Sequence, residues 1–229
     1  GDTVYWISSH GRNSKGEVQP SRCVFFATKV DDFKKTAFVK GVPFQGMLPA
    51  LIANPELKKY KLAEASLLSP KLPNALNIEA LSASPEGWLW IGFRNPIPGG
   101  KALLVPLLNP QDVITGGKPE FGESVLLDLG GLGFRDMCYA GNGYLIVAGP
   151  YDKGGCKLYR WNGKEESAPV LIKDSFKDDF TAEVVMGFGA DWPKYAGKAF
   201  IISDDGSRKI GGVENKELPF EERTSRGLW

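Results

Sequence analysis

Residues 126–150 read LLDLGGLGFRDMCYAGNGYLIVAGP, and the rest of the chain can be understood outward from them. A short apolar run ends in glycines 130, 131 and 133, and the charged pair Arg135-Asp136 follows. A second apolar run, Tyr144–Ala148, comes after the turn signal Asn142-Gly143. The same order of features recurs upstream in Asn77–Leu81 and Gly87–Arg94 (GWLWIGFR), and downstream in Ala182-Glu183-Val184 and Ala199–Asp205 (AFIISDD). Thr3–His10 (TVYWISSH) is an incomplete fourth copy. Ile91, Val147 and Ile202 hold equivalent places at intervals of 56 and 55 residues, whereas Ile7 to Ile91 spans 84 and requires an insertion. A fixed period of this size marks a repeat architecture.

Each full interval holds four short apolar segments separated by turn-rich loops. The spacing predicts strands over 79–83, 88–93, 102–107 and 124–129, then over 136–139, 144–148, 156–161 and 168–173. Strands over 3–8, 22–30 and 35–40 precede them, and strands over 182–189, 199–203 and 208–212 follow. The central strands are almost continuously apolar, as strands covered on both faces must be. Met47, Leu48, Leu51 and Ile52 fall at helical spacing, and Asn54-Pro55-Glu56 reads as an N-cap, a first-turn proline and an early acid. A short helical insertion near residues 47–68 therefore accounts for the long first interval.

The fold class that follows is all-β: a β-propeller of four-stranded blades. Residues 1–229 form one partial propeller domain, with two whole blades between two incomplete ones. A β-sandwich has similar strand content, but the regular spacing argues against it. Thr3–Ser8 enters as a second strand without its first, and the chain opens Gly-Asp-Thr-Val without an initiator methionine. The N-terminal part of the propeller is accordingly expected to be missing from this sequence.

Composition excludes some function classes. Lys and Arg number 28 against 27 Asp and Glu, and this balance gives no electrostatic reason to expect nucleic acid or an anionic membrane as partner. No apolar run approaches the roughly 20 residues of a membrane-spanning helix. Cys23, Cys138 and Cys156 fit no zinc spacing, and Cys138 and Cys156 sit in apolar runs as expected of buried thiols, with one disulfide left open. The lean is toward a reducing compartment, which favours the cytoplasm slightly over the periplasm or secretion. Trp6, Trp88, Trp90 and Trp161 lie within strands and are expected in the core. No helix follows glycines 130, 131 and 133, so a nucleotide loop is rejected.

The segments NIEAL (77–81), WIGFRNP (90–96), LDLGGLGFRDM (127–137), LIVAGPYD (145–152), LYRW (158–161) and SDDG (203–206), with WISSHGR (6–12), together resemble an uncharacterised bacterial β-propeller family. That family is labelled only as a domain of unknown function and is distantly similar to phytase-like and gluconolactonase-like propellers. The resemblance runs from about residue 3 to about residue 225. It implies a propeller fold with a missing N-terminal portion, and no established activity. Ala80 and Val184 stand where these propellers often place glycine, which changes how closely a ligand can approach the backbone.

Blade geometry brings the start of each innermost strand and the end of the second strand to one mouth of the central channel. Glu79, Arg135, Asp136 and Glu183 belong to the first group, and His10, Arg94, Asp152, Asp204 and Asp205 to the second. Three readings of this cluster stand side by side. In the first, carboxylates and arginines pair and tie blade to blade. In the second, Glu79, Asp136, Glu183, Asp204 and Asp205 hold a hard cation, Ca²⁺ or Mg²⁺, for which oxygen donors are suited. In the third, Arg94 and Arg135, with His10 and Asp152, bind a small molecule or anion. His10 is also readable as a hydrogen-bonded loop histidine, and Asp204-Asp205-Gly206 as a turn. The expected function is binding of a small ligand or partner at the mouth. The alternative is a divalent-cation-dependent hydrolase of phosphoesters or lactones.

Overall fold

The computed structural model describes residues 3–32, 36–177, 179–188 and 193–229. Strands β1 (Thr3–Ile7), β2 (Phe25–Asp32) and β3 (Thr36–Phe44) form a three-stranded antiparallel sheet. Helix α1 (Met47–Ala53), a 3₁₀ turn over Pro55–Tyr60 and α2 (Leu62–Ala65) then occupy the expected insertion. A four-stranded meander follows, β4 (Asn77–Ala83), β5 (Leu89–Asn95), β6 (Ala102–Leu107) and β7 (Val125–Leu127), with α3 (Pro110–Val113) between its last two strands. A second meander repeats it with β8 (Gly133–Tyr139), β9 (Tyr144–Gly149), β10 (Lys157–Trp161) and β11 (Val170–Lys173). The last sheet joins β12 (Ala182–Gly187) and β13 (Ala199–Ser203) to β16 (Gly227–Leu228), beside a separate hairpin of β14 (Lys209–Ile210) and β15 (Val213–Glu214). The chain is thus all-β, with two four-stranded sheets between two three-stranded ones. Neighbouring sheets meet through their first strands, β4 beside β8 and β8 beside β12. Among the described residues no closed ring of sheets is formed.

Most expected strands lie within a few residues of their predicted bounds. The expected ends at Lys35 and Gly189 lie outside the described residues. The strand expected over 208–212 is instead split into the β14–β15 hairpin. Gly211 and Gly212, at φ 58° and 91°, take the left-handed conformations of the turn, so the chain reverses there.

Period-two alternation explains why the middle strands are apolar throughout. In β5, Leu89, Ile91 and Phe93 join a core shared with β2, α1 and the 3₁₀ turn, while Trp90 faces the other way. In β6, Leu103, Val105 and Leu107 enter that first core, and Ala102 and Leu104 enter the second. Tyr144, Ile146 and Ala148 of β9 close the second core against Phe134 and Trp161, and Val147 opens a third with Leu158, Val185 and Ile201. One core fills each space between successive sheets. In the insertion, Met47 and Leu51 of α1 bury one helical face, and Asn54 caps the 3₁₀ turn by accepting from the Glu56 N–H at 2.9 Å.

Trp90 and Trp161 are buried as expected, but Trp6 is 48% exposed and Trp88 only half buried. Among the described residues β1 pairs only with β2, so no further strand covers Trp6. Its indole stacks on Phe26 at 6.1 Å and donates to the Thr28 hydroxyl at 2.9 Å.

Two sheets approach closely at Gly133, where a Cβ would lie 2.0 Å from the Arg94 carbonyl oxygen. The obstacle is backbone, so no side-chain rotation relieves it. Gly133→Ala is expected to cost about 3 kcal/mol by overpacking, which lowers the melting temperature of a chain this size by roughly 6–12 °C. Thermal melts of the two proteins check this, and an unchanged melting temperature would refute the close approach.

Candidate functional site

The first strands of three sheets each carry a bulge near their start. Register shifts fall between Ile78 and Ala80 in β4, between Phe134 and Asp136 in β8, and between Ala182 and Val184 in β12. The residues left out of the ladder are Glu79, Arg135 and Glu183. A bulge turns the side chain of its extra residue away from strict alternation. The structural equivalents are therefore acid, base, acid. Asp136, expected beside Glu79 and Glu183 as a cation ligand, thus stands one residue beyond the bulge of β8, whose place Arg135 takes.

The three bulged side chains meet. Glu79 Oε1 accepts from Arg94 Nη1 at 2.7 Å and from Asn77 Nδ2 at 2.8 Å. Its Oε2 lies 3.6 Å from Arg135 Nε, and neither of these two buried atoms has a hydrogen-bond partner. Arg135 Nη2 donates to Glu183 Oε2. Arg94 is held further by the carbonyls of Pro150 at 2.8 Å and Asp152 at 3.3 Å. The Arg135 side chain is only 7% exposed, and burial lowers its pKa against the opposing pull of Glu79.

Asp136 stands beside this chain of charges without joining it. Its Oδ2 accepts from the Val185 N–H at 2.8 Å, which knits β8 to β12. Among the described residues no salt bridge reaches it. Burial pushes its carboxyl up to about 6, with the Val185 and Met137 amides pulling the other way.

Together these residues wall a cleft of about 410 Å³. Glu79, Arg135, Asp136 and Glu183 supply its polar part, and Tyr5, Trp6 and Ile7 of β1 with Leu81 and Val184 supply its apolar part. Of these apolar residues only Val184 is singled out by the sequence as bearing on a ligand's approach. Leu81 was findable two places beyond Glu79 on the same strand face, but the approach of β1 to the cleft depends on packing between sheets.

Other expected site residues are placed elsewhere. His10 is buried at 3% exposure in the loop after β1, with Nδ1 2.6 Å from the Ser8 carbonyl oxygen. Burial lowers its pKa, and it is not part of the cleft wall. Asp152 is exposed on its side chain, 4.0 Å from Lys71, and meets Arg94 only through its carbonyl. Asp204 accepts from the Gly206 N–H in its own turn. Asp205 is buried and bound by Arg226 Nη2 at 2.7 Å and by the Ser203 hydroxyl at 2.8 Å, which hold its carboxyl down at about 2. The expected cation ligands are thus divided between the cleft and the β13–β16 region. Among the described residues no group of three or more His, Cys, Asp or Glu side chains is arranged to hold a metal ion. Cys23, Cys138 and Cys156 are all free thiols, and only Cys156 is fully buried. No helix among the described residues is long and apolar enough to cross a membrane.

A family model described as "protein of unknown function (DUF3616)" matches residues 46–198, from the residue before α1 to the residue before β13. No curated protein matches, and no solved structure matches.

Asp136 gives a pH signature. A carboxyl raised in the folded state stabilises the fold fully below its unfolded pKa near 3.8, and that contribution is lost as pH rises through about 6. Asn can keep accepting from the Val185 N–H but carries no charge. The Asp136→Asn variant is expected to show a flatter stability profile between pH 4 and 6, and to be the more stable protein at pH 7.5, by up to about 3 kcal/mol. Urea melts at several pH values measure this; parallel profiles would show that Asp136 ionises normally.

Proposed function

The chain belongs to the family of proteins of unknown function DUF3616, and from the geometry of its cleft we propose that it is a β-propeller module binding a small amphipathic molecule with a cationic end. On this reading the four sheets are blades and the cleft opens from the channel mouth. The observation that carries it is the charge arrangement. Arg94 and Arg135 are committed to Glu79 and Glu183, while Asp136 lines the same cleft with no cationic partner among the described residues. At pH 7 a carboxyl with a pKa of about 6 is mostly ionised, and the backbone amides that it accepts from carry no net charge, so a cationic ligand would be its counter-charge. Tyr5, Trp6 and Ile7 provide the surface for the ligand's apolar body.

An anionic ligand fits less well, because both guanidiniums already face carboxylates and a fourth negative group would meet Glu79 and Asp136. The hydrolase reading draws on Glu79, Asp136 and Glu183 lining one cleft. A divalent cation there would have to separate Glu183 from Arg135, and it would meet the two arginines as like charges.

Matched probes separate these cases. Benzylamine, benzyl alcohol and benzoate share a ring and differ in charge. Nuclear magnetic resonance titrations are expected to show benzylamine binding most tightly at pH 7.5, about tenfold more weakly at pH 5, and negligibly to Asp136→Asn. Tighter binding of benzoate, or amine binding that ignores Asp136→Asn, would sink the proposal. A melting temperature raised by Ca²⁺ or Mg²⁺ and returned by chelator would put the hydrolase reading in its place.

A further inference from the structure

The strands that carry the charged cleft at one end frame a second cleft at the other. It occupies about 380 Å³ between the β4–β5 turn, the β8–β9 turn and the turn that follows β10. Trp88 and Tyr139 line it with partly open rings, over Trp90 and Tyr144, which are 7% and 3% exposed and belong to the core beneath. Trp88 and Trp90 stand nearly perpendicular at 85° with ring centres 6.1 Å apart, and Tyr139 and Tyr144 meet at 67° and 5.3 Å.

These rings are held in place by hydrogen bonds that use up their polar ends. Trp90 Nε1 donates to the Tyr144 hydroxyl at 3.1 Å, and the Tyr139 hydroxyl donates to the Gly141 carbonyl at 2.7 Å. The cleft therefore offers the ring surfaces of Tyr139 and Trp88 more than polar ends. The Trp88 Nε1 is buried without a hydrogen-bond partner and closed off from the cleft, so that side chain presents only its ring.

The rim is polar but electrically balanced. Glu86 and Lys164 contribute one charge of each sign. Asn142 is fixed by Arg160 Nη2, which donates to its Oδ1 at 2.8 Å. A quaternary ammonium would suit the rings, but Lys164 opposes a cation. An inorganic anion would gain nothing from the aromatic walls and would meet Glu86.

We propose that this second cleft binds a neutral saccharide. A pyranose ring presents an apolar C–H face to a Trp or Tyr ring while its hydroxyls radiate in the ring plane as paired donors and acceptors. The hydroxyls find Glu86, Asn142 and Lys164 on the rim. The aromatic pairs are preorganised, so little side-chain ordering accompanies binding. The site lies apart from the charged cleft and stands or falls independently of the ligand proposed there.

Saturation-transfer resonance spectra with cellobiose, maltose and N,N′-diacetylchitobiose test it, with titration calorimetry for whichever binds. At least one disaccharide is expected to bind with a dissociation constant of order 1 mM. Tyr139→Ala and Trp88→Ala are each expected to weaken it about tenfold, each by removing a stacking surface. Melting curves confirm that both variants remain folded. Transfer from none of the three sugars, affinity unchanged in both folded variants, or displacement of the sugar by equimolar tetramethylammonium would each overturn the proposal.

Discussion

One carboxylate ties the middle of the molecule together. Glu79 is shared between Arg94, its neighbour within the sheet, and Arg135 of the next sheet, which in turn reaches Glu183 of the sheet beyond. Apolar side chains of similar volume could hold the sheets with comparable free energy, because desolvating an ion pair offsets most of its attraction. What the charges add is placement. Loss of Glu79 would leave Arg135 with Glu183 alone and Arg94 with only the Pro150 and Asp152 carbonyls, and removing one partner of a buried pair costs about 3–5 kcal/mol. Each sheet is thereby fixed against the next at the level of the cleft, and Gly133 lets the backbones approach closely enough for the side chains to meet.

The bulges make this geometry available. In a regular strand, consecutive residues face opposite sides, so Arg135 and Asp136 could not both line one cleft. The register shift in β8 brings both to it, and that in β12 does the same for Glu183 and Val184. A bulge leaves no mark in hydrophobic periodicity, which is why the sequence alone does not separate Arg135 from Asp136 as the counterpart of Glu79. The 56-residue interval from Ile91 to Val147 carries Glu79 onto Arg135, so the period itself held the better alignment. From Arg135 to Glu183 the interval is 48, and there the period gives no guidance.

The strands were legible because burial on two faces writes nearly unbroken apolar segments, as in Ala102–Leu107, which the structure reproduces end to end. The helical insertion was legible through Asn54 and the Met47–Leu51 spacing. Exposure was less so: Trp6 has the composition of a core residue, and only the pairing of β1 decides that it is not buried. Asp205 was equally opaque. Its partner, Arg226, lies 21 residues away in a segment without periodic pattern, and Ser-Asp-Asp-Gly reads as an ordinary turn until that partner is placed. Arg94 and Glu79 were easier, since antiparallel pairing of β4 and β5 brings them together across a single hairpin.

The same bulge that puts a cation and an acid side by side also explains why Asp136 is not neutralised by its neighbour. The Arg135 guanidinium extends across the interface toward Glu79 and Glu183, so its charge is already directed at two carboxylates. Asp136 is left with backbone amides, whose dipoles stabilise a carboxylate less than a full charge does. Desolvation then dominates and its pKa rises to about 6 instead of falling. Asp205 is the internal contrast. Its side chain is shut off from solvent but lies in a thinly packed region near the surface, so desolvation weighs less on it, and the guanidinium of Arg226 is aimed directly at it; its pKa is held at about 2. Packing depth and the direction in which the neighbouring arginine points together set the state of these carboxyls, and in the cleft both leave Asp136 without a counter-charge among the described residues.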